Sequence, residues 1–295
     1  MPTTEPASPP APSAPVRPPG RFDGLGLHGL MTVLSLLMIL PFAWMVLASL
    51  KTLAEAGEPA WLPKAAQWGN YLEVFQVIPF LRFGANSLVI AGWVTLLQVF
   101  TSALAAYSFA RLEWPGRDRL FFLYLGTMML PGLVMVIPNF QIMMHYRMVD
   151  SYLGLVLPPV YSALGAAGGA FGTFLLRQFM LGIPRALDEA AEMDGASKWR
   201  IFWDVILPLS RPGVVTLAIF TFMGNYHSFF WPLVMMKTVD KYTLPVGLLF
   251  FDSEHGQATH LLMAAVTMSV LPLILIFVFL QRQLIRGIQL GAVKG

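Results

Sequence analysis

The sequence predicts an all-α polytopic membrane protein with six transmembrane helices. Three observations point there. Charged residues make up 12% of the 295 residues, about half the share of an ordinary soluble domain. Six stretches, each longer than 20 residues, hold no Asp, Glu, Lys or Arg. The Lys and Arg between those stretches are unevenly divided between alternate loops. The mean hydropathy of +0.65 agrees. Nineteen basic and sixteen acidic side chains cover the surface of a soluble fold of this size poorly. A cytosolic enzyme, a secreted domain and a disordered chain are all excluded.

The spans follow in order. A bilayer core of about 30 Å needs roughly 20 apolar residues in a helix. The charge-free windows are Gly24 to Leu50, Phe83 to Ala110, Leu120 to Tyr146, Ser151 to Leu176, Pro212 to Met236, and His255 to Gln281. None is interrupted by the charged face that a buried helix of a soluble protein requires. Six spans place both termini on one side. Thirteen Lys and Arg fall on that side and six on the other. The positive-inside rule makes the richer side cytoplasmic. The net charge of +3 is then topology, with no nucleic acid implied. The absence of cysteine excludes disulfides, thiolate metal sites and cysteine nucleophiles.

Residues 1–26 read as a Pro-rich, disordered cytoplasmic tail, with eight prolines in the first 20 residues. Proline removes donors and fixes φ, which opposes helix and sheet. A PxxP-type ligand is the sharper alternative. Residues 27–295 form the six-helix membrane domain, lipid being its surroundings. The external loop from Lys51 to Arg82 is polar and aromatic. The one from Lys237 to Glu254 is similar. The last 14 residues, 282–295, are a cytoplasmic tail.

The loop at about 180–211 is unlike the others. From Arg177 to Arg211 it holds ten charges and a strong apolar period. Pro184 suits a first helical turn. Asp188, Glu189 and Glu192 place acid where the helix dipole favours it. Gly195 signals a helix end, and Ser197 can cap a second helix. Trp199, Phe202, Trp203 and Ile206 recur at helical steps and give an aromatic face. Pro208 and Pro212 close the second helix. The reading is helix, glycine turn, helix at the membrane surface. One alternative is an amphipathic segment resting on lipid. Five acids among the basics oppose an anionic leaflet, so the pattern favours a protein docking partner.

These residues resemble a family. Glu189, Ala190, Ala191, three residues, Gly195, nine residues, Val205, Leu207 and Pro208 match the EAA signature of ABC importer permeases. Val205 replaces the usual Ile and keeps its shape. Asp194 and Ala196 also fit the pattern. MLPGLVMVIPNF in the third span, Asp150-Ser151-Tyr152, Gly154-Leu155, Leu157-Pro158 and the ending GAVKG are similar to the MalG-like, binding-protein-dependent carbohydrate branch. Likeness runs from about Leu27 to Gly295. Tyr226-His227-Ser228-Phe229 departs from the Trp-Asn-x-Phe pattern usual in the fifth span.

The resemblance implies a type I importer permease for a sugar or a related polyol or glycerol-phosphate-like solute. It implies a place in the inner membrane of a prokaryote. It implies a heterodimer with a second permease, two cytoplasmic ATPase subunits and an external solute-binding protein. ATP and Mg would sit on the ATPases. The chain has no Walker A loop, so it is expected to bind no cofactor and to catalyse nothing. Glu189 is the residue expected to pair with an ATPase cation, helix-dipole stabilisation being the alternative. Met193, Ala196, Trp199 and Phe202 are expected to fill an ATPase cleft. Gly291, Val293, Lys294 and Gly295 resemble a tail that enters the ATPase interface, or are a frayed end.

The transport path is expected among polar span residues. Asn139, Asn225, Tyr226 and His227 are the candidates, with Asn86, Gln98, Gln141 and Ser228 as further polar positions. Each can instead stitch helices together. An intramembrane His is more often interior. Gly165 to Ala170, GAAGGA, allows close packing or a hinge. An ion-coupled secondary transporter is the competing function. The five His are too dispersed for a metal site, and no HExxH or GxSxG motif occurs.

Overall fold

A computed structural model describes residues 21–161, 169–253 and 258–292, with side chains over 26–161, 169–251 and 258–281. The Pro-rich segment 1–20, most of GAAGGA, and Val293, Lys294 and Gly295 lie outside the described residues. Gly291 is described in its backbone alone. The described residues form helices and turns, without strand. The described residues divide into two compact units, one up to Met45 and one from Val46 onward.

The helices are α1 (Arg21–Ser49), α2 (Leu53–Ala56), α3 (Gly69–Val77), α4 (Phe80–Arg111), α5 (Arg117–Gly126), α6 (Val136–His145), α7 (Tyr152–Tyr161), α8 (Gly169–Leu181) and α9 (Ala186–Met193). There follow α10 (Lys198–Ile201), α11 (Leu207–Leu209), α12 (Arg211–Tyr226), α13 (Phe230–Met235), α14 (Leu244–Gly247), α15 (Phe250–Ser253) and α16 (Thr259–Ala292).

The all-α membrane class stands, and several of the six charge-free windows are broken or bent within the described residues. Among the described residues, α1, α4 and α16 are each long and apolar enough to cross a membrane alone. Two bent pairs raise the total to five. The third window breaks by 93° between Arg117–Met129 and Gly132–His145. The cause is Leu130-Pro131-Gly132. Pro131 offers no N–H and pushes the residue before it out of the helical region; Leu130 is extended, with ψ 120°. The fourth window becomes α7 and α8, on either side of residues 162–168, which are not described. The fifth window stops at Tyr226 and resumes as α13. After the sixth window, α16 continues as helix through residues 282–292 of the expected cytoplasmic tail.

In the second unit α4 is the central element, packed by α7, α8 and α12. Its C-terminal half is lined with small residues: Ser102, Ala103, Ala106 and Ala110 are buried. A Cβ on Gly172 of α8 would fall 2.5 Å from Ser102 Oγ and 3.0 Å from Leu217. Small residues therefore permit the α4–α8 approach. A core forms here from Ala103, Ala106, Tyr107, Leu176, Met180, Ile201, Phe202, Ile206 and Leu217. At the other end of α4, Phe80 and Phe83 pack with Val74, Leu244, Phe251 and Leu261. A third cluster joins α4 to α6, α7 and α13 through Ile90, Val94, Val136, Leu155 and Trp231.

The 46–82 segment is ordered by Asn70, whose amide donates to the carbonyls of Ser49 and Lys51, both at 2.8 Å. The segment after Met236 is held by Asp150. Its carboxylate accepts from the N–H groups of Lys237 and Thr238, both at 3.1 Å, and from the Thr238 hydroxyl at 2.6 Å. Lys241 lies at 3.1 Å. The Thr238 hydroxyl and then the two N–H groups hold this carboxyl well below the usual range.

Candidate functional site

The helix–turn–helix of the loop forms as its residues dictate. After α9, the Ala196 N–H reaches back to the Ala191 carbonyl at 2.9 Å and the Gly195 N–H to Glu192 at 3.0 Å. These two bonds define a Schellman end, which needs a left-handed residue at Gly195. Its φ is +78°. Ser197 then caps α10, its hydroxyl accepting from the Arg200 N–H at 3.3 Å. A π turn follows over Phe202–Ile206. Pro208 explains it: the missing N–H leaves the Asp204 carbonyl without its i+4 donor, and the ring crowds it. A 76° bend then separates this arm from α12.

Two part-buried attachments, from Arg111 and Tyr107, hold the segment, with exposed ion pairs beside them. Arg111, the last residue of α4, has a side chain 4% exposed. Its guanidinium donates to Asp188 at 2.8 Å, to the Met180 carbonyl at 2.5 Å and to the Ile183 carbonyl at 2.7 Å. One cation thus neutralises the last turn of α8 and the acid that begins α9, at both favourable dipole ends. Tyr107, one turn earlier, donates to the Lys198 carbonyl at 2.9 Å. Arg185 pairs with Glu113 at 2.9 Å, and Lys198 with Glu192. The Arg185 hydrogen bond holds the Glu113 carboxyl below its ordinary pKa.

The expected docking residues separate into two groups. Glu189, Ala190, Asp194 and Gly195 are exposed, Ala191 and Ala196 half-buried. Met193 is 90% exposed and Trp199 58%. Pro208 is exposed as well. Phe202 is a correction: it is 0% exposed and belongs to the chain's own core, with Tyr107 at 5.2 Å. It is not available to fill a partner's cleft. Trp203 faces out and stacks on Phe100 at 6.3 Å.

The polar span residues divide likewise. Asn225 donates to the Thr221 carbonyl and is buried. Tyr226 is buried and donates to the Ser269 carbonyl at 3.0 Å, joining α12 to α16. Asn86 bonds the Asp240 and Tyr242 carbonyls, both at 2.9 Å, and accepts from Tyr152. These are stitches between and within helices. His227 is exposed, edge-on to Tyr226. Asn139 is buried, bonded to the Met135 carbonyl, and lines a cavity of about 900 Å³. That cavity opens where the third window is broken. Its walls include Tyr124, Thr127, Pro131, Tyr161, Ser228 and Phe230. Asn225, Tyr226 and His227 are not among its lining residues.

Sequence reasoning missed Arg111 and Tyr107, and met Asp150 only as part of the Asp150-Ser151-Tyr152 resemblance. Arg111 counted there only as an orienting charge. Its signal was its place: a lone basic residue directly ending an apolar window.

Residues 98–290 match the family described as binding-protein-dependent transport system inner membrane component. The chain belongs to that family. It is a family of ABC importer permeases, transport components rather than catalysts. The permease is 32% identical over 268 residues to the arabinooligosaccharides transport system permease protein AraQ of Bacillus subtilis, covering 89% of this chain and 93% of the relative. It is 28% identical to the diacetylchitobiose uptake system permease protein NgcG of Streptomyces coelicolor, over 90% and 88% of the two chains. It is 32% identical to the sn-glycerol-3-phosphate transport system permease protein UgpE of Yersinia enterocolitica, over 77% and 81%. A bacterial ABC transporter that imports the acidic polysaccharide alginate shares the fold, with TM-score 0.77 at 22% identity, over 91% of this permease and 99% of that chain. The family match contains the whole helix–turn–helix, the Asp150 segment and the broken fifth window.

Proposed function

We propose that this permease is one membrane subunit of an ATP-driven importer for a sugar or a related polyol or glycerol-phosphate-like solute. It works with a second, homologous permease, two ATPase subunits that carry ATP and Mg, and an extracytoplasmic solute-binding protein. Both termini face the cytoplasm. The observation that carries the reading is the α9–Gly195–α10 segment. It is fastened to the bundle at its base and bare at its tip, with Met193 and Trp199 exposed. Exposed apolar side chains amid mixed charge suit a protein cleft better than an anionic lipid surface.

Glu189 offers an exposed carboxylate to a cation of the ATPase. Met193, Ala196 and Trp199 enter its cleft, and Gly195 makes the turn that presents them. ATPase closure moves the segment, and the bundle alternates between inward- and outward-open states. The substrate class rests on the relatives: all three are named for sugar or glycerol-phosphate transport. The cavity beside Asn139 suits such a solute, being mostly apolar with a few convergent hydroxyls and one amide. Gly291, Val293, Lys294 and Gly295 would extend the ATPase contact from the end of α16.

The test is uptake by the reconstituted complex in proteoliposomes, with arabinotriose, diacetylchitobiose and sn-glycerol 3-phosphate as probes. Uptake of one of them should stop without ATP and persist when ion gradients are collapsed. Uptake that follows the gradient and ignores ATP would establish the ion-coupled alternative.

A further inference from the structure

We propose that Tyr107 and Arg111 are positioning residues that clamp both arms of the 186–201 segment to the C-terminal end of α4. Displacement of the segment is thereby passed into the bundle as movement of α4. This rests on the coupling role proposed above.

The two contacts are of different kinds and reach different arms. Arg111 holds the elbow between α8 and α9 through Asp188 and the Met180 and Ile183 carbonyls. Tyr107 holds the first residue of α10, beyond the Gly195 turn, through the Lys198 carbonyl. The spacing of four residues puts both side chains on one face of α4. A segment attached through one arm can swing about that point. Attached through both, it moves with the helix. A planar guanidinium with several donors makes three such bonds in fixed directions, which a Lys cannot reproduce.

The helix that receives the clamp suits transmission. It runs 32 residues without proline, about 48 Å at 1.5 Å per residue. Its far end carries a second set of attachments. Ser87 accepts from the Leu244 N–H at 2.8 Å, and Arg82 pairs with Asp240 at 2.8 Å. The helix therefore joins the segment at one end to the 237–244 loop at the other.

The chain has no cysteine, which permits spin labels at chosen sites. Labels at Leu96→Cys on α4 and Ala186→Cys on α9 both sit on exposed residues. Their separation is read by pulsed electron spin resonance in the whole complex, with and without MgATP. The clamp predicts one narrow distance, unchanged by nucleotide. Tyr107→Phe keeps the ring against Phe202 and removes the hydroxyl alone. Arg111→Met with Asp188→Leu replaces the ion pair with an apolar pair, which keeps a buried site filled. Combining the three should broaden the distance and make it depend on nucleotide, while the ATPase still copurifies. Arg111→Lys alone should give an intermediate width. A distance that stays narrow and nucleotide-independent in the combined variant overturns the clamp and leaves the coupling role standing. Failure of the ATPase to copurify with the unmodified chain overturns both.

Discussion

Replacing Gly195 separates a turn requirement from a docking requirement. Its φ of +78° is left-handed, and an added Cβ meets nothing within 4 Å. A Cβ at this position therefore clashes with nothing inside the permease. The internal cost is conformational, about 1–2 kcal/mol for an ordinary L-residue. That lowers the population of the closed turn by about five- to thirtyfold. Asn tolerates this conformation and costs less than Ala. Strain alone therefore ranks the variants Asn, Ala, Trp from mildest to worst, with Ala and Trp close together. A filled cleft ranks them by size: Ala mildest, then Asn, with Trp far worse. The assays are ATPase copurification from solubilised membranes and ATP-dependent uptake by vesicles. The docking role predicts the size order, with Trp abolishing both signals. A Trp variant that copurifies and transports as well as the Ala variant refutes it.

Phe202→Ala should cost about 3–5 kcal/mol of stability, because the ring is wholly buried. Trp199→Ala should stay within about 0.5 kcal/mol in detergent melts yet weaken ATPase copurification. Gly172→Val should lower the melting temperature, since its Cβ would press on Ser102 and Leu217 at a cost of about 1–3 kcal/mol. Asp150→Asn weakens charge-assisted bonds to Lys237 and Thr238 and should cost about 1–2 kcal/mol at neutral pH, with the side chain 23% exposed. The Asp150 pKa is lower folded than unfolded, so this stabilisation is complete above the unfolded value of about 4 and is lost as pH falls below it. The melting difference between Asp150→Asn and the native chain should therefore shrink below about pH 4. A difference that grows on acidification would contradict the assignment.

The backbone of the segment was legible because its punctuation is local. Gly195 and Ser197 act within five residues of themselves, and both do what their types dictate. The face of the second arm was not legible. Steps of about 100° per residue put Trp199 and Trp203 together, and Phe202 and Ile206 together, with the pairs about 60° apart. Both pairs lie within one apolar stripe. The stripe is wider than the core contact, so its pattern does not tell which edge faces inward. The structure turns Phe202 and Ile206 in and leaves Trp199 and Trp203 out. The break in the third window was hidden for a related reason. Hydropathy reads composition, whereas Pro131 acts on the backbone and leaves the window's composition apolar. The Arg111–Asp188 pair joins residues 77 positions apart, beyond any local pattern.

In lipid, helices gain little from hiding apolar surface, because the solvent is equally apolar. Close backbone packing must supply the attraction instead. Ala103, Ala106 and Ala110 on α4, with Gly172 opposite, provide it at the end of α4 that carries Tyr107 and Arg111. The same small residues that let α8 approach also leave room for the guanidinium to reach the Met180 and Ile183 carbonyls. A larger residue at Gly172 would push α8 away and lengthen those bonds. Packing between spans and attachment of the exposed segment are therefore one constraint on the sequence, and loss of the first should loosen the second.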